Sequence, residues 1–539
     1  MTARIPNDYL KTFSTRTLSL FVVFLFSLVT WFVPAKGGAT DNKTLTVYCA
    51  AGLKNSVEAI AQEYQKETGT VIQLQYGGSG LMLSNLEVSR QGDLFIAADE
   101  SYIKLAKEKG LVAESLILAR QSPVLAVKAG NPKKISSVDD LLKPDTKYAI
   151  ANPEAASIGK VCQRVFTAKG NWDVLAKHAT VMKPTVSDIA NDLAIGTVDA
   201  AFVWDATVNQ VPGIEGVTLP EFAGISENVT AGILNSSKDP TLALHFARYL
   251  AAPDRGGVEL KKRGYSLVEN DLWQNKPELQ VFIGSVNRRA VERSLQDFSA
   301  REGVSVTTVI NGCGILCATM RTMAKSKEGK VPDAYYACDI CFVQPVADLY
   351  PEAVMLSDTD VVIAVKKGNP KNVQSLADLA RPGLKVGLAN YEQSSLGFIS
   401  KRILEHAGLF KSVDANASSE VPVGDLLANQ LAVGSLDAIM CYTINVRPHA
   451  AQLDTIAIND IGARAVQPFA VAKNSPNRQL ARRLLVYLQE HKEQFLEAGF
   501  RWRVDQTPMK STDLPQFGAL LPPTAEIPPK DLKTVDNPH

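Results

Sequence analysis

The chain has 539 residues, enough for several domains of about 100–200 residues each. Its 57 Lys and Arg residues against 56 Asp and Glu residues give a formal net charge of +1, so no global field attracts nucleic acid or a membrane surface. A hydrophobic content of 46% is ordinary for a globular protein and allows a sizeable core.

The N-terminal segment has the layout of a secretory signal peptide. Basic residues precede the apolar run Leu18–Val33, and small residues follow it. This order predicts a signal peptide over residues 1–39, cleaved after Ala39, and a periplasmic mature protein. The alternative is an uncleaved membrane anchor, although the run is shorter than the ~20 residues that span a bilayer. Both alternatives place the globular part outside the cytoplasm.

Each half of the remaining chain alternates short β-branched runs with longer amphipathic segments. Leu45–Ala50 and Val71–Tyr76 have the character of strands, and Val57–Lys66 carries apolar residues at helical spacing. This rhythm predicts an α/β fold with largely parallel sheets covered by helices.

The two halves contain the same sequence pattern. Three segments of the first copy return in the second copy in the same order and at nearly the same spacing. The matched pairs are Leu45–Gly69 with Leu279–Gly303, Val124–Leu142 with Val362–Ala380, and Leu193–Trp204 with Leu431–Tyr442. The period is far longer than the ~20–50 residues of a solenoid repeat, and therefore indicates a duplicated domain.

The duplication predicts a first module at residues 44–274 and a second module at residues 276–505. A Pro-rich tail follows at residues 506–539 and shows no periodicity. We expect this tail to be a disordered or loosely attached extension.

Gly- and Ser-rich turns end strands and open helices in the first copy. Ala51 and Gly52 follow the first strand, and Gly77–Gly80 follows the second. Farther along, Ser157–Gly159 opens a helix and Val186 precedes another. Backbone N–H groups at helix N-termini carry partial positive charge, and a Ser hydroxyl adds a donor. One such turn alone is an ordinary connection, whereas several of them supply hydrogen-bond donors that could hold an anion without any Lys or Arg.

The first copy resembles the periplasmic molybdate-binding proteins of ABC importers, which have the type II periplasmic-binding-protein fold. The resemblance covers nearly the whole copy, and the second copy is a weaker relative that diverges between Asn311 and Tyr350. The segments that carry it include YGGSGL (Tyr76–Leu81), QGDLFIAAD (Gln91–Asp99), ANPEAASIGK (Ala151–Lys160) and DAAFVWDA (Asp199–Ala206).

The resemblance implies two α/β lobes in each module, joined by crossing strands and closing over a ligand in the cleft. The implied crossings lie near Pro123–Lys128, Asn228–Leu234, Val361–Val365 and Val466–Ala472. It also implies a binding protein that captures molybdate or tungstate and presents it to the membrane permease of an ABC importer. No hydrolytic triad is visible, so we expect no enzyme.

The resemblance also implies the ligand-binding residues. In the first copy these are Ala51, Gly52, Gly78, Ser79, Ser157, Ile158, Val186 and Trp204, and in the second Ser285, Cys313, Ser395 and Tyr442. Gly52 stands where the family has Ser, and Trp204 where it has Tyr. Each lost hydrogen bond to a charged ligand costs ~1.5–3 kcal/mol, so we expect a first site that is weaker or tuned to another tetrahedral anion.

The second copy contains two cysteine pairs, Cys313 with Cys317 and Cys338 with Cys341. Cys313 aligns with Ser79, and both pairs are predicted at strand ends beside the cleft. Convergent thiolates there predict a metal or iron–sulfur site, which is the basis of an alternative function as a redox or sensor protein. Disulfides and unpaired structural cysteines are the other interpretations. The second cleft is accordingly an altered anion site, a metal site or a retired domain.

Overall fold

A computed structural model describes residues 43–522 and 525–527. The signal peptide predicted at residues 1–39 lies outside the described residues. Within the described part of the chain, no helix is long and apolar enough to span a membrane.

The first module contains strands β1 to β11 and helices α1 to α10. The strands are β1 (Thr44–Ala50), β2 (Val71–Gly77), β3 (Leu94–Ala97), β4 (Val112–Gln121), β5 (Pro123–Lys128), β6 (Tyr148–Ala151), β7 (Val181–Lys183), β8 (Ala200–Trp204), β9 (Ile214–Val217), β10 (Glu227–Leu234) and β11 (Ser266–Leu267). The helices are α1 (Lys54–Thr68), α2 (Ser79–Ser89), α3 (Glu100–Glu108), α4 (Val138–Leu141), α5 (Ser157–Ala168), α6 (Trp172–His178), α7 (Val186–Ile195), α8 (Asp205–Val208), α9 (Pro240–Ala251) and α10 (Gly256–Lys262).

Two sheets define the two lobes of the first module. Lobe 1A has the strand order β11-β4-β10-β3-β1-β2, and lobe 1B has the order β7-β6-β8-β5-β9. The chain leaves lobe 1A at the end of β4, enters lobe 1B in β5 and returns in β10. The crossings predicted at Pro123–Lys128 and Asn228–Leu234 are therefore confirmed.

Helix α1 shows why the sequence pattern folds as predicted. Val57, Ile60 and Tyr64 are buried on one face, which packs against the sheet of lobe 1A. The helix ends at Gly69, whose φ of 75° favours glycine. Strand β1 pairs in parallel with both β2 and β3, so the carboxyl ends of these strands lie at one edge of the sheet.

The second module contains strands β12 to β21 and helices α11 to α18, and strands β22 and β23 lie in the tail. The strands are β12 (Glu278–Gly284), β13 (Ser305–Asn311), β14 (Ala334–Tyr336), β15 (Glu352–Lys366), β16 (Val386–Ala389), β17 (Ala417–Val421), β18 (Ala438–Tyr442), β19 (Leu453–Ala457), β20 (Arg464–Val471), β21 (Arg501–Arg503), β22 (Met509–Lys510) and β23 (Ala525–Glu526). The helices are α11 (Arg288–Glu302), α12 (Cys313–Lys325), α13 (Ser395–His406), α14 (Phe410–Asp414), α15 (Gly424–Ala432), α16 (Thr443–Val446), α17 (Arg478–Glu490) and α18 (Glu493–Ala498).

Strand β15 runs through both lobes of the second module. Its first half pairs with β20 in lobe 2A, whose order is β13-β12-β14-β20-β15, and its second half pairs with β18 in lobe 2B, whose order is β15-β18-β16-β17. The crossings predicted at Val361–Val365 and Val466–Ala472 fall in β15 and β20. The prediction of two α/β modules, each of two lobes joined by crossing strands, is confirmed.

The first part of the tail packs on the second module. The Ser511 hydroxyl donates to the Tyr350 carbonyl at 2.6 Å, and the Gln344 amide donates to the Leu514 carbonyl at 2.7 Å. Leu514 and Leu521 are buried. For residues 506–522 the expectation of a loosely attached extension was therefore wrong, because isolated leucines and backbone carbonyls fix the segment without any sequence periodicity.

The two modules contact each other through an ionic cluster. Glu302 of α11 is 2% exposed and accepts hydrogen bonds from Arg248 of α9 at 3.0 Å and from Arg483 of α17 at 2.7 Å. Beside it, Arg301 donates to both carboxylate oxygens of Glu114 at 2.6 and 2.9 Å. Lobe 1A thus packs against helices α11 and α17 of the second module.

Candidate functional site

Two serines from opposite lobes of the first module touch each other. Ser79 is the first residue of α2 in lobe 1A, and Ser157 is the first residue of α5 in lobe 1B. The Ser157 hydroxyl donates to Ser79 Oγ at 2.9 Å, and the Ala98 N–H donates to the same oxygen at 3.2 Å. A hydroxyl has one proton and two lone pairs. Both lone pairs of Ser79 are used, so its proton is the group left to donate to a ligand.

The backbones of the two lobes also meet directly. The Gly80 N–H donates to the Ala155 carbonyl at 2.9 Å. A Cβ on Gly78 would lie 2.2 Å from the Ala155 oxygen and 2.6 Å from the Pro184 oxygen. Only glycine permits this approach. The first module is therefore in a closed state.

Gly52 faces Val186 across the same cleft. A Cβ on Gly52 would lie 2.9 Å from Val186 Cγ1, so a serine at this position would press on the opposite lobe. The Gly52 carbonyl accepts a hydrogen bond from the Tyr265 hydroxyl at 3.0 Å, which occupies an oxygen that would repel an anion. Gly52 and Ala51 form the short 3₁₀ turn after β1.

Ile158 lies at the N-terminus of a helix, whereas Trp204 is buried at the end of a strand. Ile158 is the second residue of α5, and the first N–H groups of a helix have no partner inside the helix. Trp204 ends β8 opposite Pro123 and is buried. Within the described residues its indole makes no hydrogen bond to the serine pair, so the structure does not join Trp204 to that group.

Positive partial charge at this site comes from helix N-termini. Helices α2, α5 and α7 begin at Ser79, Ser157 and Val186, the residues that meet across the cleft. Lys160, three residues after Ser157 in α5, instead donates to the Ser101 hydroxyl at 2.9 Å and lies 4.4 Å from the centre of the Tyr102 ring. It links the lobes, and among the described residues no Lys or Arg makes a hydrogen bond to the serine pair.

The second module is closed by matching backbone contacts. The Gly314 N–H donates to the Gln393 carbonyl at 3.0 Å, and a Cβ on Gly312 would lie 2.3 Å from the same oxygen. The glycines of the two modules therefore hold the lobes together in the same way.

The side chains at the centre of the second cleft differ from those of the first. The Cys338 N–H donates to Cys313 Sγ at 3.1 Å, in the place of the bond from Ala98 to Ser79. Ser395 opens α13, and Tyr442 ends β18. Both hydroxyl oxygens are buried and have no hydrogen-bond partner among the described residues. Ser285 begins the 3₁₀ turn after β12 and is only half-buried.

The four cysteines of the second module do not form a four-thiolate site. All seven cysteines are free thiols, and the described residues contain no group of three or more His, Cys, Asp or Glu side chains placed to hold a metal ion. The Cys317 thiol donates to the Phe342 carbonyl at 3.2 Å, and burial raises its pKa to about 12, so it stays protonated. Cys341 lies beside Asp339 instead, and the metal-site prediction for this set is wrong.

Sequence reasoning missed Gly284 and Asn287 in the second cleft. Gly284 ends β12 next to the sulfurs of Cys313 and Cys338. The Asn287 amide donates to the Ala337 carbonyl at 2.9 Å, while its buried oxygen has no partner among the described residues. The signal was present, because Asn287 aligns with the apolar Leu53 of the first copy.

Two lobes joined by crossing strands and closed over a shared cleft define a solute-binding protein, here present twice in one chain. The family model described as bacterial extracellular solute-binding protein matches residues 45–265 and 279–501. The chain belongs to this family of extracytoplasmic solute-binding proteins.

Several relatives match about one module. A protein of Haemophilus influenzae provisionally named a binding protein is 31% identical over 216 residues, which cover 39% of this chain and 85% of the relative. The molybdate-binding protein ModA of Mycobacterium bovis is 25% identical over 219 residues, covering 40% and 82%. A Bacillus subtilis protein provisionally named an ABC transporter substrate-binding lipoprotein is 28% identical over 180 residues, covering 32% and 68%. None of these names supports the redox or sensor alternative.

Proposed function

We propose that the first module binds a tetrahedral oxyanion of the molybdate or tungstate class and that the protein presents it to the membrane permease of an ABC importer. Residues 1–39 would act as the signal for export. The observation that carries the proposal is the hydroxyl proton of Ser79, left free at the contact between two lobes.

The proposed ligand groups all donate. They are the backbone N–H groups of Ala51, Gly52, Gly78, Ile158 and Val186 and the hydroxyl of Ser79, with Trp204 as a further candidate. The Ser157 hydroxyl, which donates to Ser79 in this structure, would turn to the ligand once the lobes part. A fully deprotonated dianion accepts from every direction, so a set of donors without an acceptor matches it. The name of the Mycobacterium bovis relative points to the same ligand class.

Capture requires the lobes to part and close again. Because the Ser79 and Ser157 hydroxyls touch, the anion enters only when lobes 1A and 1B separate. Closure then brings donors from both lobes onto the ligand, and this differential contact stabilises the closed form. The permease would recognise that form.

The proposal is tested by calorimetric titration of the full mature chain with molybdate, tungstate and sulfate. We expect molybdate or tungstate to bind and to raise the unfolding temperature, since ligand at 100 times its Kd adds about 2.7 kcal/mol of stability. Hydrogen phosphate is the matched control, because its proton finds no acceptor in the site and should weaken binding. Absence of both heat and thermal shift with all three oxyanions would overturn the proposal.

A further inference from the structure

Two cysteines of the second module replace residues that are hydrogen-bonded to each other in the first. In the first cleft the Ala98 N–H donates to Ser79 Oγ at 3.2 Å, and in the second the Cys338 N–H donates to Cys313 Sγ at 3.1 Å. The backbone geometry is thus the same in both modules. The second cleft differs by carrying a thiol on each side of this bond.

Gly284 makes the space that the two sulfurs fill. A Cβ at this position would lie 2.3 Å from Cys338 Sγ and 2.8 Å from Cys313 Sγ. The first module has Ala50 at the matching end of β1, and the residues that match the two cysteines, Ser79 and Ala98, carry no sulfur. Gly284 therefore leaves the space in which the sulfurs of Cys313 and Cys338 lie side by side.

Three buried oxygens around the sulfurs have no hydrogen-bond partner among the described residues. They are Ser395 Oγ, Tyr442 Oη and Asn287 Oδ1. Ser395 is 0% exposed and Tyr442 3%, so water does not satisfy them from outside. Buried polar atoms are normally paired, and a group of unpaired ones around a dithiol points to a ligand that brings its own hydroxyl or oxygen.

The two thiols differ in how readily they ionise. Burial opposes ionisation of Cys313, but hydrogen bonding from Cys338, including its backbone N–H, brings the pKa of Cys313 below its usual value. Burial and the hydrogen bond with Cys313 raise the pKa of Cys338 well above its usual value. The pair therefore places a sulfur that ionises more readily beside one that holds its proton.

Metal ions that need four ligands do not suit this arrangement. Zinc and iron–sulfur clusters take four ligands in proteins, whereas Cys317 is bonded to the Phe342 carbonyl and Cys341 lies beside Asp339. A bare two-coordinate copper(I) ion would use both sulfurs but would leave the oxygens of Ser395, Tyr442 and Asn287 unpaired. The ligand must bind two sulfurs and still present oxygen.

We infer that the second cleft binds the uncharged trihydroxide of a thiophilic trivalent element, arsenious acid or its antimony analogue, through Cys313 and Cys338. Two bonds form from arsenic to the two sulfurs, two arsenic–oxygen bonds break, and the two thiol protons leave with the displaced hydroxides as two water molecules. No atom changes oxidation state. The remaining arsenic-bound hydroxyl pairs with the Ser395, Tyr442 and Asn287 oxygens.

This inference rests on the proposed function only because both treat the clefts as solute-binding sites. Arsenite binding at the second cleft and oxyanion binding at the first can each fail without the other. The full mature chain, kept reduced with a phosphine, is titrated with sodium arsenite, and bound arsenic is counted after gel filtration. We expect one arsenic per chain, and a loss of affinity of about a hundredfold or more in Cys313→Ser and in Cys338→Ala, because a single sulfur cannot chelate. Molybdate binding at the first cleft should be unchanged in both variants, which also shows that they fold.

Three further variants test whether arsenite binds at this pair of thiols and at no other cysteine. Cys317→Ala and Cys341→Ala should bind arsenite within about twofold of the parent chain, because neither thiol belongs to the pair. Tyr442→Phe keeps both thiols and should weaken binding about tenfold by removing one hydroxyl partner. Three results would overturn the inference: no stoichiometric arsenic in the parent chain, equal losses in the Cys341 variant, or copper(I) bound at the pair with no effect of Tyr442→Phe.

Discussion

The two clefts of this protein close alike but differ in chemistry. In the first, Gly80 donates to Ala155, and in the second, Gly314 donates to Gln393, at nearly equal distances of 2.9 and 3.0 Å. The group beside that contact is a serine hydroxyl in the first cleft and a sulfur in the second. The comparison shows that glycines set how the lobes meet, whereas the next side chain sets which ligand is accepted.

The largest expected effect concerns how the modules are held together. Glu302→Gln should lower the free energy of unfolding by about 3–5 kcal/mol, because it removes the carboxylate that the buried guanidinium groups of Arg248 and Arg483 share. Chemical denaturation measures this change. Glu328→Gln is the control, since its pair with Lys330 is largely exposed and should contribute less than about 1 kcal/mol. Equal effects of the two variants would show that the modules do not depend on this cluster.

A glycine exchange tests closure in each cleft. Gly78→Ala places a Cβ 2.2 Å from the Ala155 oxygen, and we expect it to hold the first module open and weaken oxyanion binding about a hundredfold, ~2.8 kcal/mol. Gly312→Ala puts the same strain into the second cleft, where a Cβ would lie 2.3 Å from the Gln393 oxygen. Titration with molybdate should show no change in that variant. Similar losses in both would contradict the assignment of the oxyanion to the first cleft.

A serine exchange sharpens the comparison between hydroxyl and thiol. Ser79→Ala should weaken molybdate binding about tenfold, ~1.5 kcal/mol, by removing the one hydroxyl proton left free at the lobe contact. Ser79→Cys introduces the residue of the second module and should bind as weakly, because a thiol is a poor donor. Calorimetry measures both, with Ser89→Ala on the far end of α2 as control. Full affinity in Ser79→Cys would remove the chemical distinction between the clefts.

The smallest expected effect is the pH dependence of the Glu302 cluster. Burial raises the pKa of Glu302, but Arg483 and Arg248 together hold this pKa below its ordinary value of 4.5. At a pH between the Glu302 pKa of the folded protein and that of the unfolded chain, the folded protein binds fewer protons. The stabilisation by this cluster is therefore complete above about pH 4.5 and is lost as the pH falls through the pKa of the folded protein. The difference in unfolding free energy between the parent and Glu302→Gln should shrink by at most ~1.4 kcal/mol per pH unit below that point. A difference that stays constant down to low pH would contradict the lowered pKa.

The sequence predicted the first cleft better than the second. Glycine and serine turns after parallel strands, together with the family resemblance, singled out Gly52, Ser79 and Ser157, because the carboxyl ends of parallel strands share one edge of a sheet. For Cys313 and Cys317 the alignment of the two copies indicated a strand end beside the cleft but not the partner of each thiol. The Phe342 carbonyl, from a turn beyond β14, binds Cys317 and removes it from the cleft.

The packed part of the tail was not predictable for a similar reason. Its order depends on bonds between Ser511 and the Tyr350 carbonyl and between Leu514 and Gln344. Such contacts join residues far apart in the chain, and neither composition nor periodicity reports them.

The most direct test is a crystal structure of the full mature chain grown with tungstate, with the metal located by its anomalous scattering. The account predicts one strong peak per chain, between the N-terminal turns of α2 and α5 beside Ser79 and Ser157, and none beside Cys313 and Cys338. A peak in the second cleft alone, or none in the first at saturating tungstate, would contradict the claim that aimed hydroxyl and amide donors of the first module hold the anion.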